Sequence, residues 1–117
     1  MQLGKAYADT RMRGGNKYLA RKAVYKGTLY HSAKEAAQAA ELDVKKRAGL
    51  IKEWRRQVHY PLKIGAQKVC TIIVDFEEEY PDGTKRVIEV KGYPTPEWRV
   101  KWKMFEALYP QLEKVVV

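Results

Sequence analysis

One cysteine and two histidines in 117 residues rule out several kinds of chemistry. Cys70 alone cannot close an internal disulfide, which fits a reducing compartment, and it reads as a small buried residue at the start of a strand. A single Cys with His31 and His59 far apart gives no Cys/His zinc spacing. No apolar run approaches the roughly 18 residues that span a bilayer. The first residues lack the apolar segment of a secretory signal, so a cytoplasmic protein without a membrane partner is expected. There is no G-x-S-x-G elbow to expose a nucleophilic serine. Gly14-Gly15 and Gly83 fit neither a Walker loop nor a dinucleotide fingerprint. Internal repeats and linkers are also missing, which leaves one domain with one modest core.

Positive charge is abundant. The net charge is +9, and it is unevenly spread. Residues 1–28 hold seven Lys/Arg against one acid, and residues 29–69 hold nine against four. Residues 70–117 reverse the balance, with seven against nine. A basic body around an acidic segment suits a polyanion held through counterion release, with a cation drawn to the acids. Residues 1–16, with the loop-forming "MRGGNK" nearby, are expected to be a flexible basic arm. Arg11, Arg13, Lys17, Arg21 and Lys22 are its phosphate-contacting candidates, and Lys45, Lys46, Arg47, Arg55 and Arg56 are a second set.

Residues 17–117 read as the folded domain, in the order β-β-α-β-β-β-α with a short final strand. A Lys26-Gly27 turn joins two short strands. Ser32-Ala33-Lys34-Glu35 is a capping box that opens a helix to about Ala48, closed by Gly49. Residues 50–64 read as a strand that Pro61 places at an edge or bulge. Thr95 and Pro96 start a last helix over 96–109, whose Trp98, Trp102, Phe105 and Tyr109 form an apolar stripe read as core. The fold class expected is α/β, a mixed sheet flanked by helices.

Between these elements lies "DFEEEYPDGTKRVIEVKG", residues 75–92. Tyr80-Pro81-Asp82-Gly83 suits a type I turn with a glycine bulge. Counting outward sets 79 opposite 85, 77 opposite 87 and 75 opposite 89. Ile72, Val74 and Phe76 are then expected to share one apolar face with Ile88 and Val90. Asp75 and Glu89 fall directly opposite each other, where like charges destabilise a sheet. Mg²⁺ between them reverses the sign of that interaction, since it seeks carboxylate oxygen. Lys91 shares the face of Glu89 and can orient a nucleophilic water or offset phosphorane charge. The alternative is a solvated outer face carrying ordinary charges.

Val74-Asp75 followed by Ile88-Glu89-Val90-Lys91-Gly92 resembles the core motif of the PD-(D/E)xK nucleases, with Val in place of the Pro. His31 to Ala36 resembles the helix that supplies their first acid. From about Lys17 to Pro110 the chain is similar to small phage-encoded members, to archaeal Holliday junction resolvases and to phage endonucleases of the junction-cutting type. The resemblance implies a restriction-endonuclease-like core with Mg²⁺, or Mn²⁺ in its place, held by Asp75, Glu89 and the Val90 carbonyl. It implies Lys91 as the catalytic lysine, Glu35 near the metal and Gln57 near the site. Glu35 lies on the side of Ala39 and Leu42, away from the stripe 33/37/40/44, so it reaches the site only if that side packs on the sheet. Glu41 is otherwise the rival acid. The implied activity is metal-dependent cleavage of branched DNA, four-way junctions above all, by a homodimer in the cytoplasm of a phage-infected host. The alternatives are a less selective nuclease or nickase, an inactive DNA-binding accessory protein and a basic structural protein of a ribonucleoprotein.

Overall fold

The computed structural model describes residues 21–117. Within them the element order is the expected one, and the architecture is mixed α/β. Strands β1 (Ala23–Tyr25) and β2 (Thr28–Tyr30) form a two-stranded antiparallel sheet. Lys26 and Gly27 both take positive φ, 49° and 79°, as the tight two-residue turn requires. Helix α1 spans Ala33–Arg47, with the Ser32 Oγ accepting the Glu35 N–H at 3.0 Å. The second half of the expected capping box is displaced by one residue: the Glu35 carboxylate accepts from the His31 N–H at 2.9 Å. The helix buries Glu35, Ala36, Ala39 and Leu42 against the sheet, while Ala33, Ala37 and Val44 are exposed.

The main sheet has the order β3 (Glu53–Ile64), β4 (Gln67–Glu79), β5 (Lys85–Glu89), β6 (Glu113–Val116). Its first two pairings are antiparallel and the last is parallel, with helix α2 (Pro96–Leu108) making the crossover. Gly65, at φ 61°, turns β3 into β4. Gly83, at φ 90°, completes the expected turn into β5. The register of 79 with 85 and 77 with 87 is as counted from the sequence. Pro61 lies on the edge strand, and the ladder shifts just beyond it, between Leu62 and Lys63. Cys70 is the fourth residue of β4 and is half-buried, not a buried strand opener.

The expected shared face of Ile72, Val74 and Phe76 is not observed. Ile72 and Val74 pack with Leu62, Val87, Trp102 and Phe105 on the side of α2. Phe76 packs with Tyr30, Ala36, Ala39, Leu42, Ile51 and Ile88 on the side of α1. Residues two apart in a regular strand share a face, so the alternation breaks between 74 and 76. On β3 the register places Gln57 opposite Asp75, and Gln57 has φ 54° in mid-strand. Val58 and Trp54 divide between the same two cores. One left-handed residue thus reverses the sheet's inside and outside at the rung of Asp75, which allows a helix on each face.

Charged pairs clamp the far end of this sheet. Glu78, fully buried, accepts from Lys45 at 2.8 Å and from Arg86 at 2.9 Å. Burial raises its pKa, but these two cations outweigh that and hold it below the usual value. Glu77 takes Arg55 and the Tyr60 hydroxyl.

Valine ordinarily strengthens a strand, but a β-branched residue is a true outlier at positive φ. Gln57→Val is therefore expected to lower stability in urea melts by about 1–2 kcal/mol, while Gln57→Gly is neutral or better. A stabilised valine variant would contradict the left-handed assignment.

Candidate functional site

The β4–β5 ladder stops at Phe76 opposite Ile88. At the next rung the strands are bridged by side chains. The Asp75 N–H donates to Glu89 Oε1 at 3.0 Å, and the Val90 N–H donates to Asp75 Oδ2 at 2.8 Å. The two acids therefore meet as the sequence predicts, each holding the opposite strand's backbone. Glu35 joins them from the first turn of α1, and it is 4% exposed. Glu41 is exposed on the same helix, so the choice between the two acids falls to Glu35. Asp75, Glu89, Glu35, Val90 and Lys91 line one cleft of about 590 Å³, together with Lys22 and Lys34. Gln57 does not line it; its link to the site is the backbone reversal opposite Asp75.

Burial dominates the electrostatics. Withdrawal from water, the charge of Glu89 and the Glu35 carboxyl raise the Asp75 pKa to about 8, against the Val90 N–H, which lowers it. Burial also raises Glu89, partly opposed by the Asp75 N–H, the Trp98 indole and the Lys91 ammonium. The pair shares a proton near neutral pH in the absence of a cation. Among the described residues no three acid, histidine or cysteine side chains already stand as a metal cage. The reason is visible in the bonding. Glu89 spends both oxygens on N–H donors, and Asp75 and Glu35 each spend one. The donor set is nonetheless all oxygen, which suits a hard divalent cation and no soft one.

Trp98 belongs to the core stripe as the sequence pattern predicts, but it has a second role that the pattern does not reveal. Its place in the apolar stripe of α2 is real, since it stacks on Trp102 with centroids 5.2 Å apart. It also donates its indole N–H to Glu89 Oε2 at 3.2 Å, and Lys91 Nζ lies 5.0 Å from its ring centroid. The available clue is position: the helix begins only five residues after Lys91 and sets Trp98 in its first turn.

The cationic candidates separate. Lys22 lines the cleft, and Lys34, adjacent to Glu35, joins it without having been singled out. Lys45 is tied to Glu78, Lys46 to Glu53, and Arg55 to Glu77 and Glu79. Arg56 lies over the Tyr30 ring at 4.5 Å, and its buried Nε has no hydrogen-bond partner among the described residues. Arg21 and Arg47 are exposed. Arg11, Arg13 and Lys17, with the whole expected arm 1–16, lie outside the described residues.

Fold and cleft together define a small α/β protein with an acidic, lysine-flanked centre on a splayed hairpin. The chain belongs to the family described as protein of unknown function (DUF1064), whose model matches residues 15–117. No curated protein and no solved structure matches it.

The raised Asp75 pKa has a definite consequence for stability. Its folded value of about 8 lies above the unfolded carboxylate value near 3.9, so the folded state binds more protons between them. Stability in chelator should fall as pH rises from about 5 to 9, a window in which the carboxylates with lowered values, Asp43, Glu53, Glu78, Glu79 and Asp82, are already ionised. Asp75→Asn is expected to flatten that fall and to melt higher than wild type at pH 9. A wild-type melting temperature that rises over this range would contradict the buried acid pair.

Proposed function

We propose that this protein is a metal-dependent endodeoxyribonuclease of the PD-(D/E)xK type that cuts branched DNA, as a Holliday junction resolvase does. The observation that carries the reading is that Asp75 and Glu89 bridge one rung and line, with Glu35 and Lys91, one open cleft. A structural role does not need three carboxylates lining one cleft where the sheet pairing ends. Asp75, Glu89, Glu35 and the Val90 carbonyl would hold Mg²⁺ or Mn²⁺. Bound there, the cation would supply Lewis acidity toward a phosphodiester oxygen and lower the pKa of water.

The protein's own groups have separate tasks. Lys91 presents an ammonium to the cleft, where it can pair with a phosphate oxygen as negative charge develops. Trp98 fixes both partners, holding Glu89 by its N–H and Lys91 by its ring face. Lys22 and Lys34 bring positive charge to the mouth, so an anionic strand can approach an acidic centre. A domain of this size reads backbone and shape more readily than sequence, and a four-way junction is a shape. Two matched cuts across a junction call for a C₂ homodimer with one cleft per subunit.

Cleavage of a four-way junction is expected with Mg²⁺ or Mn²⁺, with Ca²⁺ supporting binding alone. Full activity in EDTA would end this reading. Asp75→Asn, Glu89→Gln and Lys91→Ala should each lower the single-turnover cleavage rate by on the order of 10²–10³ while junction binding stays near normal. Glu35→Gln keeps an acceptor for the His31 N–H, so lost cleavage at unchanged melting temperature marks a ligand, and retained cleavage marks only a cap. Binding without any cleavage, under all of these metals, would favour the inactive accessory protein.

The role of Trp98 separates by substitution. Trp98→Phe retains the ring beneath Lys91 and loses the donor to Glu89. It is expected to slow cleavage about tenfold with unchanged DNA affinity, whereas Trp98→Leu should lose most activity. Equal rates for the two variants would reduce Trp98 to a core residue.

A further inference from the structure

The β3–β4 hairpin extends well beyond the rest of its sheet. β5 pairs with β4 only from Phe76 to Glu79, while β3 pairs with it along its whole length. The segment from Gln67 to Val74 therefore has one strand neighbour and an open edge. One face of this arm is covered by α2 through Val58, Leu62, Ile72 and Val74. On the other face His59 and Ile73 are paired and exposed, two residues from Gln57 and Asp75. That bare face leads straight into the acidic centre.

Charge along the hairpin is segregated. Between Glu53 and Asp75 the chain has no acid at all, but it has Arg55, Arg56, Lys63 and Lys68. Arg55 is spent on Glu77 and Glu79, and Arg56 lies on Tyr30. Lys63 and Lys68 remain, both exposed and without an ion-pair partner among the described residues. They are also directly opposite each other in the register. Two like charges on facing positions destabilise a hairpin end, and a polyanion turns that repulsion into attraction.

We propose that the tip of the β3–β4 arm is a DNA-backbone contact, with Lys63 and Lys68 gripping the phosphates of a duplex whose strand enters the cleft at Asp75. The inference rests on the nuclease reading for its choice of DNA as the polyanion. Lys68 is seven residues from Asp75 along β4, about 23 Å at the usual strand rise. At 3.4 Å per nucleotide along one strand, the gripped phosphates lie about seven nucleotides from the one in the cleft. The tip therefore holds the flanking duplex arm and takes no part in the chemistry.

The test measures affinity of the full chain for a duplex and for a four-way junction in Ca²⁺, between about 50 and 200 mM salt. For Lys63→Ala/Lys68→Ala the slope of log K against log salt is expected to shrink by about 1.8 units, at 0.9 per lost contact. At 0.15 M salt that corresponds to roughly a 30-fold weaker complex, taking the lost contribution as zero at 1 M. Lys85→Ala, on β5 and paired with Glu79 at the end of β4 away from the tip, should leave the slope unchanged. An unchanged slope in the double variant overturns the proposal whatever the nuclease activity. So does the remaining explanation for edge lysines, that they only prevent sheet-to-sheet association: the double variant would then self-associate in sedimentation while binding DNA with the wild-type slope. A wild type that binds DNA but never cuts it, while the double variant shows the predicted smaller slope, would sink the nuclease reading and leave the arm's role standing. A wild type that binds no DNA would sink both.

Discussion

Two buried carboxylates, Glu35 and Glu89, and a half-buried third, Asp75, at the point where two strands part are the constraint around which this protein is arranged. Asp75 and Glu89 each give a side-chain oxygen to the other strand's backbone, so the sheet is closed there by acids in place of peptide groups. Glu35 arrives from α1 because that helix buries its Glu35–Ala39–Leu42 side. Such a cluster is tolerable only with a shared proton or a cation, since buried like charges have no water to screen them. The raised Asp75 pKa is that conflict expressed as a proton affinity.

The rest of the scaffold isolates this conflict from the forces that hold the fold. Elsewhere buried acids are neutralised: Glu78 by Lys45 and Arg86, Glu77 by Arg55 and Tyr60. Of these, Lys45 ties α1 to the sheet at the end away from the cleft, and the others join strands within it. The left-handed Gln57 is the one described non-glycine residue with positive φ inside a strand. It sits opposite Asp75, and the apolar faces exchange there. Strain of this kind gathers at functional rungs because the surrounding packing over-determines it.

Much of this is legible in the residues. The turn chemistry of Tyr80–Gly83 sets the hairpin register, and the register alone brings Asp75 to Glu89. Ser32 and Thr95 place both helix starts. What the sequence hides is what depends on neighbours far along the chain. The period-2 pattern of Ile72, Val74 and Phe76 promises one face, but a single φ at Gln57 undoes it. The stripe of α2 packs on the core from Trp98 onward, and no periodicity distinguishes Trp98, whose indole N–H also finds Glu89. Lys45, Lys46 and Arg55 look like a basic surface in one dimension and prove to be partners of Glu78, Glu53, Glu77 and Glu79 in three.

The central claim is that these carboxylates are a site for a hard divalent cation. It is tested most directly by calorimetric titration of the full chain with Mn²⁺ at pH 7 in buffers of different ionisation enthalpy, which counts the protons displaced. With Asp75 protonated up to about pH 8, binding should release close to one proton per Mn²⁺, and Asp75→Asn should bind far more weakly and release none. Binding that releases no proton from the wild type, or that survives intact in Asp75→Asn, would place the cation elsewhere and contradict the account.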